Sequence, residues 1–374
     1  MTFKTRHQFG VTIYFIIMAG LKDIAKIAGV GTTTVSIILN SPEKAGRFNE
    51  DTKKRIREIA RRLNYIPDHR ARVFQGGKTF TIGVALDTLD ERNLFAQPYW
   101  SSILGGIHRG LQKHAYQLTL ISSLEEERAL NIAVRHLRER RVDGIIVPEP
   151  LSFDLVHDLG SASKSIALIN NPAARGFPGA YSEESKAVEI AVDYLAAKGH
   201  RSILWVGPNN WYDDGASTRA NSFASATLKK NLQGGAAFFD FEPDMATSKT
   251  YPLIKIASEK VAQKLDRKGT YSSVLAFNTD CMLATYRAAA DLGLRIPQDL
   301  SVVCIDNDGA RQTIPECTAI DLQPFEIGYQ SAEILVRQLN PGSEHAGPES
   351  KAVPPILVER ESVTKAREIQ ANES

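Results

Sequence analysis

Apolar residues recur at helical spacing in the stretch that begins at residue 21. The first run has its apolar positions at Leu21, Ile24, Ala25 and Ala28. This spacing of three and four places them on one face of a short helix. Gly29 can adopt the left-handed backbone that ends a helix, and Gly31 stands where a second helix would be capped. The pattern therefore predicts two short helices joined by a tight turn.

Two further amphipathic helices follow this turn. The second has apolar positions at Val35, Ile38 and Leu39, and the third at Ile56, Ile59, Ala60 and Leu63. The exposed face of the second helix carries the short, uncharged side chains Thr32, Thr33 and Ser36. Asn49 can cap the third helix, and Pro67 ends it. The arrangement is typical of a helix-turn-helix unit; a purely structural helical hairpin is the less favoured interpretation.

From residue 79 onward, short apolar runs alternate with amphipathic stretches. We predict near-continuous buried strands at 80–87, 117–123, 142–149, 165–171, 201–208, 273–280 and 300–308. We predict helices at 100–115, 125–140, 184–198, 218–231, 252–267 and 281–292. Strand–helix alternation of this kind predicts an α/β fold with parallel sheets covered on both faces.

Several polar residues come at the ends of these predicted strands, where ligands bind in such folds. They are Asp87, Asn170, Asn171, Asn278 and Asp306. For any one of these residues, a capping or turn role is at least as good an interpretation as a ligand contact.

The charge distribution separates the two parts of the chain. Residues 21–78 hold 13 Lys and Arg against 6 Asp and Glu, whereas residues 79–374 hold 30 against 37. A basic head on an acidic body indicates a polyanionic partner that is confined to the head. The three cysteines, Cys281, Cys304 and Cys317, have no metal-ligand spacing and suit a reducing compartment. We expect no metal and no cofactor.

The first twenty residues allow two interpretations. Lys4, Arg6 and His7 precede an apolar run over 9–19, which resembles a short secretory signal but is too short to span a bilayer comfortably. The favoured interpretation is that Met18 is the true start and the preceding residues are an over-extended reading frame. The alternative is an exported sugar-binding protein with residues 1–20 as its signal peptide.

The head resembles the DNA-binding head of the lactose-repressor/galactose-repressor family of bacterial transcriptional regulators. The matching positions are Ala25, Ala28, Gly29, Val30, Thr34, Val35, Ser36, Leu39, Asn40, Tyr65 and Pro67. The resemblance implies base contacts in the major groove by Thr32, Thr33 and Ser36. It implies phosphate contacts by Lys22, Thr34, Asn40, Asn49 and Tyr65, and a hinge helix that contains Arg72 and Phe74.

Three positions depart from the family's head pattern. Gly31 replaces the usual serine, which removes a cap and a phosphate donor. Ile37 replaces the usual arginine, which removes a long donor to guanine. Phe74 replaces the hinge leucine that wedges between base pairs, and phenylalanine is also a wedge residue. We therefore expect an operator read partly through hydroxyl and thymine-methyl contacts.

The body resembles the family's core, which is similar to periplasmic sugar-binding proteins with two lobes, three crossovers and an effector in the cleft. The matching stretches are 140–147, 199–203, 292–303, 323–328 and 357–362. The resemblance implies effector contacts by Tyr99, Trp100, Asn171, Arg219, Asn278 and Asp306. Asn170–Asn171 replace the usual aspartate–arginine pair, Thr279 the usual aspartate, and Glu183–Glu184 the usual Asp-Asn. These departures leave the identity of the effector open.

Together these features predict a cytoplasmic, dimeric DNA-binding regulator, most simply a repressor, whose operator affinity a sugar or related metabolite modulates. The predicted divisions are 1–20 extension, 21–66 head, 67–78 hinge helix and linker, 79–374 core, with lobe 1 about 79–179 and 324–350 and lobe 2 about 180–320 and 353–374. A nucleotide-dependent enzyme is disfavoured because no G-x-G-x-x-G follows the first strand and no G-x-x-x-x-G-K-[ST] loop occurs. The tail lacks the heptads of a tetramerisation coiled coil, and we expect no membrane partner.

Overall fold

The computed structural model describes residues 5–8, 11–14, 19–40, 42–65, 77–86, 98–123, 128–148, 165–170, 177–208, 215–239, 250–265, 270–340 and 350–366. The chain forms two compact units, Met1–Thr79 and Phe80–Ser374. In the described part of the chain, no helix has the length and apolar character needed to cross a membrane.

The first unit contains three helices in the order that the sequence predicts. They are α1 (Leu21–Ala28), α2 (Thr32–Asn40) and α3 (Glu50–Arg62), with a 3₁₀ helix at Pro42–Arg47 and an antiparallel hairpin of β1 (Thr5–Gln8) and β2 (Val11–Tyr14). Gly29 ends α1 in the left-handed region at φ 65°, and its N–H donates to the Ala25 carbonyl. Asn49 caps α3, accepting from the Asp51 N–H at 2.9 Å. The predicted end of α1 at Gly29 and the predicted cap of α3 at Asn49 are confirmed, and α3 ends at Arg62, before Pro67.

The predicted apolar faces meet in one small core. Its buried members are Ile24, Ala25, Ala28, Val35, Ile38, Ala45, Ile56 and Ala60. Leu39, Ile59 and Leu63 pack against this cluster while partly exposed. Small alanines at the contacts of α1 allow the short helices to approach closely, so eight buried side chains are enough to order three helices around a turn.

The second unit consists of two six-stranded sheets, and helices join most of the successive strands that the structure describes. The first sheet contains β3 (Thr81–Leu86), β4 (Gln117–Ser122), β5 (Gly144–Pro148), β6 (Ile166–Ile169), β7 (Gly179–Ser182) and β13 (Lys351–Val353). The second contains β8 (Ser202–Pro208), β9 (Gln233–Phe239), β10 (Ser273–Ala276), β11 (Ser301–Ile305), β12 (Thr318–Asp321) and β14 (Ile356–Val358). The helices are α4 (Pro98–Lys113), α5 (Ala129–Arg138), α6 (Glu184–Ala197), α7 (Gly215–Lys229), α8 (Thr250–Lys264), α9 (Thr279–Leu292) and α10 (Pro324–Leu339).

The strand orders are β13-β7-β6-β5-β3-β4 in the first sheet and β14-β12-β11-β10-β8-β9 in the second. Every pair is parallel except β12 with β14. The chain passes from one sheet to the other after β7, after β12 and after β13. These three passages divide the unit into two lobes, lobe 1 around the first sheet and lobe 2 around the second, and they confirm the predicted fold class.

The central strands are buried along their length, as their apolar runs predict. β6, β10 and β11 are buried at every position, and β3 at all but its first. The prediction of a near-continuously buried strand at 117–123 is wrong, because β4 lies at the edge of its sheet and only Ile121 in it is buried. An edge strand has one solvated side, which an apolar run of six residues does not reveal.

Several elements lie outside the predicted set. β9 begins with Gln-Gly-Gly, and glycines weaken a strand pattern. β7, β12, β13 and β14 are only three or four residues long. Helix α10 closes lobe 1 against α4, where Gly106 and Gly110 leave no room for a side chain beside the backbone around Phe325 and Tyr329.

Candidate functional site

The start of α2 presents a small polar surface. Thr32 and Thr33 are exposed in its first turn, and Thr34 is half-buried. Ser36 lies on the inward side and is only 8% exposed, so the two threonines are the outermost of the three predicted base-reading residues. The hydroxyl and methyl groups of threonine suit a base edge and a thymine methyl, respectively.

The predicted phosphate contacts lie on several elements of the head. Lys22 is exposed on α1, and Asn49 is exposed at the start of α3. Tyr65 is half-buried against the helical core, which fixes its ring. The side chain of Asn40, together with Arg72 and Phe74 of the predicted hinge, lies outside the described residues. Asn49 uses its Oδ1 to cap α3, so its Nδ2 is the side-chain donor that could reach a phosphate, beside the acidic Glu50 and Asp51 of the first turn.

Helix α3 carries most of the basic charge of the head. Its exposed basic residues are Lys54, Arg55, Arg57, Arg61 and Arg62. Lys53 differs, because it is buried and forms an ion pair with Glu50. Arg62 pairs with Glu58 at 2.6 Å. Exposed ion pairs of this kind contribute roughly 0–1 kcal/mol, so the exposed bases are available to a polyanion at little cost in stability.

In the second unit, Arg219 of α7 is the centre of a buried polar cluster. Its side chain is 11% exposed, and its Nε donates to a carboxylate oxygen of Glu184, the first residue of α6. Its Nη1 donates to the Phe277 carbonyl at 2.7 Å, and the guanidinium carbon lies 4.5 Å from the centre of the Phe277 ring. Burial opposes the charge of Arg219, but the Glu184 carboxylate outweighs it, and the pKa of Arg219 is raised.

Asp306 completes the lobe 2 side of this cluster, immediately after β11. Its Oδ2 accepts from the Thr279 hydroxyl at 3.0 Å, and its Oδ1 from the Asp308 N–H at 3.3 Å. Burial raises the pKa of Asp306, although these hydrogen bonds and Arg219 act in the opposite direction. Asn278 caps α9, since its Oδ1 accepts from the Cys281 N–H at 3.0 Å.

Lobe 1 contributes Tyr99 and Asn170 to the same place. The Asn170 Nδ2 donates to the Tyr99 hydroxyl at 2.8 Å, and the ring of Tyr99 meets Trp100 edge to face at 5.4 Å. Burial raises the pKa of the Tyr99 phenol, and the carboxylate of Glu184 raises it further. Arg219 and Asp306 also lie close enough to act on the charge of this phenol. Side chains from both lobes therefore meet in one cleft.

The structure brings together Tyr99, Arg219, Asn278 and Asp306, whereas Trp100 adjoins this group only through its ring contact with Tyr99 and packs on the lobe 1 core. Asn171 and Asp87 lie outside the described residues. Two residues that contact Arg219, Glu184 and Phe277, are absent from the predicted contacts. Glu184 had a sequence signal, because it replaces an asparagine of the family pattern, but its contact with α7 depends on how α6 and α7 pack. Among the described residues, no group of His, Cys, Asp or Glu could hold a metal ion.

Comparisons with known proteins agree with both parts of the molecule. The family described as "Bacterial regulatory proteins, lacI family" matches residues 20–68, and "Periplasmic binding protein-like domain" matches residues 192–363. A relative from Edwardsiella ictaluri, "HTH-type transcriptional repressor PurR", is 30% identical over 370 residues, covering 92% of this chain and 97% of that protein. The chain belongs to the lacI family of bacterial regulatory proteins. These matches support a helix-turn-helix transcriptional regulator over the alternative of an exported sugar-binding protein.

Further lacI-family relatives and structures extend over nearly the whole chain. The Vibrio vulnificus protein of the same description is 29% identical over 362 residues, with 93% and 99% of the two chains covered. The lac repressor dimer bound to operator and the anti-inducer ONPF matches with a TM-score of 0.70 at 22% identity, covering 92% of this chain and 99% of that chain. A CelR–cellobiose complex matches with a TM-score of 0.62 at 22% identity and the same coverage. These similarities show that the fold is shared.

Proposed function

We propose that this lacI-family regulator is a repressor that binds an operator as a homodimer and responds to a sugar-like effector in the cleft between its lobes. The observation that carries the proposal is the exposed pair Thr32–Thr33 at the start of α2, within a head that is rich in exposed basic residues. The protein acts in the cytoplasm and has no catalytic turnover.

The head supplies two kinds of contact. Exposed lysines and arginines neutralise phosphates and give an affinity that falls as salt rises. Thr32 and Thr33 supply the contacts that distinguish one base sequence from another. Residues 21–66 form the reading head in this proposal, and the hinge at 67–78 inserts Phe74 into the minor groove.

In this proposal the effector binds in the cleft between the two lobes. Structures that share the fold hold cellobiose, ribose or glucose. The cleft of this chain combines an arginine, a carboxylate, an amide and two aromatic rings, which suits the hydroxyls and apolar faces of a sugar. An effector that binds one lobe arrangement better than the other shifts operator affinity, and a coupling of about 1–3 kcal/mol corresponds to about 5- to 150-fold.

Selection from random duplex DNA with the full-length protein tests the DNA-binding part. We expect enrichment of a two-fold symmetric sequence in the presence of excess random competitor, and light scattering should show a dimer. Failure to enrich any sequence, with or without cell metabolites, would remove the proposal. A thermal-shift screen of the same protein against neutral sugars, followed by DNA titration with each hit, tests the response.

A separate variant tests the assignment of Phe74 to the hinge. Phe74→Ala should weaken binding to the selected sequence far more than binding to random DNA, because only the specific complex gains from the wedge. Equal losses on both DNAs would show that Phe74 does not enter the groove. Phe80→Ala is a matched control, since it removes an exposed phenylalanine beside β3 and outside the proposed hinge.

A further inference from the structure

We propose that Glu184 sets the effector class by neutralising Arg219, so that the cleft accepts an uncharged or basic hydroxyl-rich molecule and rejects a phosphorylated or acidic one. This inference rests on the proposed function, because it concerns the ligand of the same cleft. A buried arginine in such a cleft would by itself suggest an anionic effector. The contacts of this arginine lead to the opposite conclusion.

The donors of Arg219 are already partly used inside the protein. Its Nε donates to Glu184 and its Nη1 to the Phe277 carbonyl. Its guanidinium carbon lies over the Phe277 ring. Nη2 has no acceptor among the residues that the structure describes. The arginine therefore has fewer free donors than an unpaired one, and the edge that contains Nε is not free for two-point capture of a phosphate or carboxylate.

The charge balance also opposes an anion. Arg219 is the basic residue of the cluster among the described residues; it is ion-paired with Glu184, and Asp306 lies close enough to act on its charge. Both acids also act on the buried Tyr99 phenol. The cluster is thus net negative when Asp306 is ionised. A like charge in a low-dielectric cleft is a strong determinant against a ligand.

The hydrogen-bonding groups favour ligands that donate. The Asp306 carboxylate is an acceptor, and the Asn170 Oδ1 atom is buried without a hydrogen-bond partner in the described part of the chain. Hydroxyl and ammonium groups can donate to these oxygens, but phosphate and carboxylate oxygens cannot. Polyols and amino sugars therefore fit the cleft better than sugar phosphates or sugar acids.

The test changes one charge at a time in the full-length protein. Glu184→Gln keeps the shape of the side chain and removes the charge that neutralises Arg219. Glu183→Gln is the matched control, because it removes the same charge one residue away, at an exposed position with no side-chain capping bond. Asp306→Asn removes the second carboxylate and serves as an independent variant if Glu184→Gln folds poorly, which circular dichroism would show.

The probes are inorganic phosphate, sulfate, glucose 6-phosphate, glucose and glucosamine, used at constant ionic strength. Binding is measured by thermal shift and by tryptophan fluorescence, since Trp205 packs against Phe277 beneath Arg219. We expect no anion binding in the original protein or in Glu183→Gln. We expect Glu184→Gln to gain at least about tenfold in affinity for phosphate or glucose 6-phosphate.

The outcomes separate this inference from the proposed function. Anion binding by the unchanged protein, or no anion gain in either Glu184→Gln or Asp306→Asn, overturns the inference. A gain of the same size in Glu183→Gln also overturns it, because the effect would then be one of general surface charge. The proposed function fails separately, if no neutral sugar in the wider screen alters DNA binding while the anion gain is present.

Discussion

The head and the cleft use the same type of residue in opposite ways. On α3, arginines such as Arg55, Arg57 and Arg61 are exposed and keep their hydration. In the cleft, Arg219 is 11% exposed and is held by Glu184 and Phe277. Exposed charges act at a distance, are weakened by salt and contribute small, nearly additive amounts. A buried charge is screened much less by salt, interacts strongly with the charged groups around it and becomes costly when its partner is lost.

This difference makes the two regions separable in experiments. Changes in the head should alter DNA affinity and its salt dependence with little effect on stability. Changes in the cleft should alter stability and the effector response together, because the groups that would bind the effector also hold the lobes' side chains in place.

The largest expected effect comes from Arg219→Ala. The change leaves Glu184 partly buried without its counter-charge, so we expect a loss of about 3 kcal/mol in the free energy of unfolding. Urea denaturation measures this loss, and the neutral-effector response measured by DNA titration should disappear. The matched control is Arg141→Ala, which removes an ion pair with Glu139 at 2.7 Å in which both side chains are exposed, 63% and 42% respectively. We expect that control to cost less than about 1 kcal/mol; equal costs would contradict the contrast between buried and exposed pairs.

Thr33→Ala should have the next largest effect, on selectivity rather than on stability. Losing one base contact should relax discrimination at one operator position by about 1–2 kcal/mol, because each good base contact contributes on this scale. Binding to a panel of single-base operator variants measures the change. The salt dependence should stay the same. A uniform loss of affinity across the panel would show that Thr33 contacts the backbone of the DNA.

Asp308→Asn tests the buried charges of lobe 2 by pH. Burial, with the neighbouring charges of Asp306 and Asp321, raises the pKa of Asp308 to about 6, and its Oδ2 has no partner among the described residues. Because the folded state binds this proton more tightly than the unfolded state, the ionised carboxylate is destabilising above about pH 6. The variant should therefore be more stable by about 1 kcal/mol at neutral pH, after allowance for partial exposure.

The pH profile distinguishes this explanation from a general effect of the substitution. The gain in the free energy of unfolding should fade as the pH falls from 6 towards 4. Over this range the Asp308 carboxyl of the original protein becomes protonated in the folded state and is then uncharged, like the asparagine of the variant. Asp193→Asn is the control, because Asp193 is an exposed carboxylate paired with Lys230 at 2.9 Å. A constant gain at every pH would contradict the assignment.

The smallest expected effect comes from Lys22→Ala. Removing one phosphate contact should lower the slope of log affinity against log salt by about one and weaken all DNA sequences alike. Titrations at several salt concentrations measure the slope. Base selectivity should be unchanged, which is the reverse of the result expected for Thr33→Ala. An altered base preference would place Lys22 in the groove.

Local features of the head could be predicted from the sequence because they depend on neighbouring residues. The left-handed Gly29 and the cap at Asn49 follow from glycine's freedom at positive φ and from the reach of an asparagine side chain. Ser36 shows the limit of the same reasoning. The helical spacing and the family resemblance both placed it with Thr32 and Thr33, but packing of α2 against the other helices leaves it 8% exposed.

The second unit likewise has features that could be predicted from the sequence and features that could not. Buried strands such as β3 and β11, six and five residues long, could be predicted from uninterrupted apolar runs, whereas the four-residue β12 could not. The edge position of β4 could not be predicted from the sequence either, because strand order depends on contacts between distant segments. Arg219 and Asp306 could be named from the family resemblance, but no local pattern places Glu184 against Arg219.

The sequence by itself determined the repeating elements, the helix ends and the division into a basic head and an acidic α/β body, because periodicity, caps and charge are local properties. Only the tertiary structure decided which arginine is exposed to a polyanion and which is neutralised in a cleft. Residues 184 and 219 are far apart along the chain and meet only when α6 and α7 pack on the same sheet. The charge that a ligand encounters depends on such pairs.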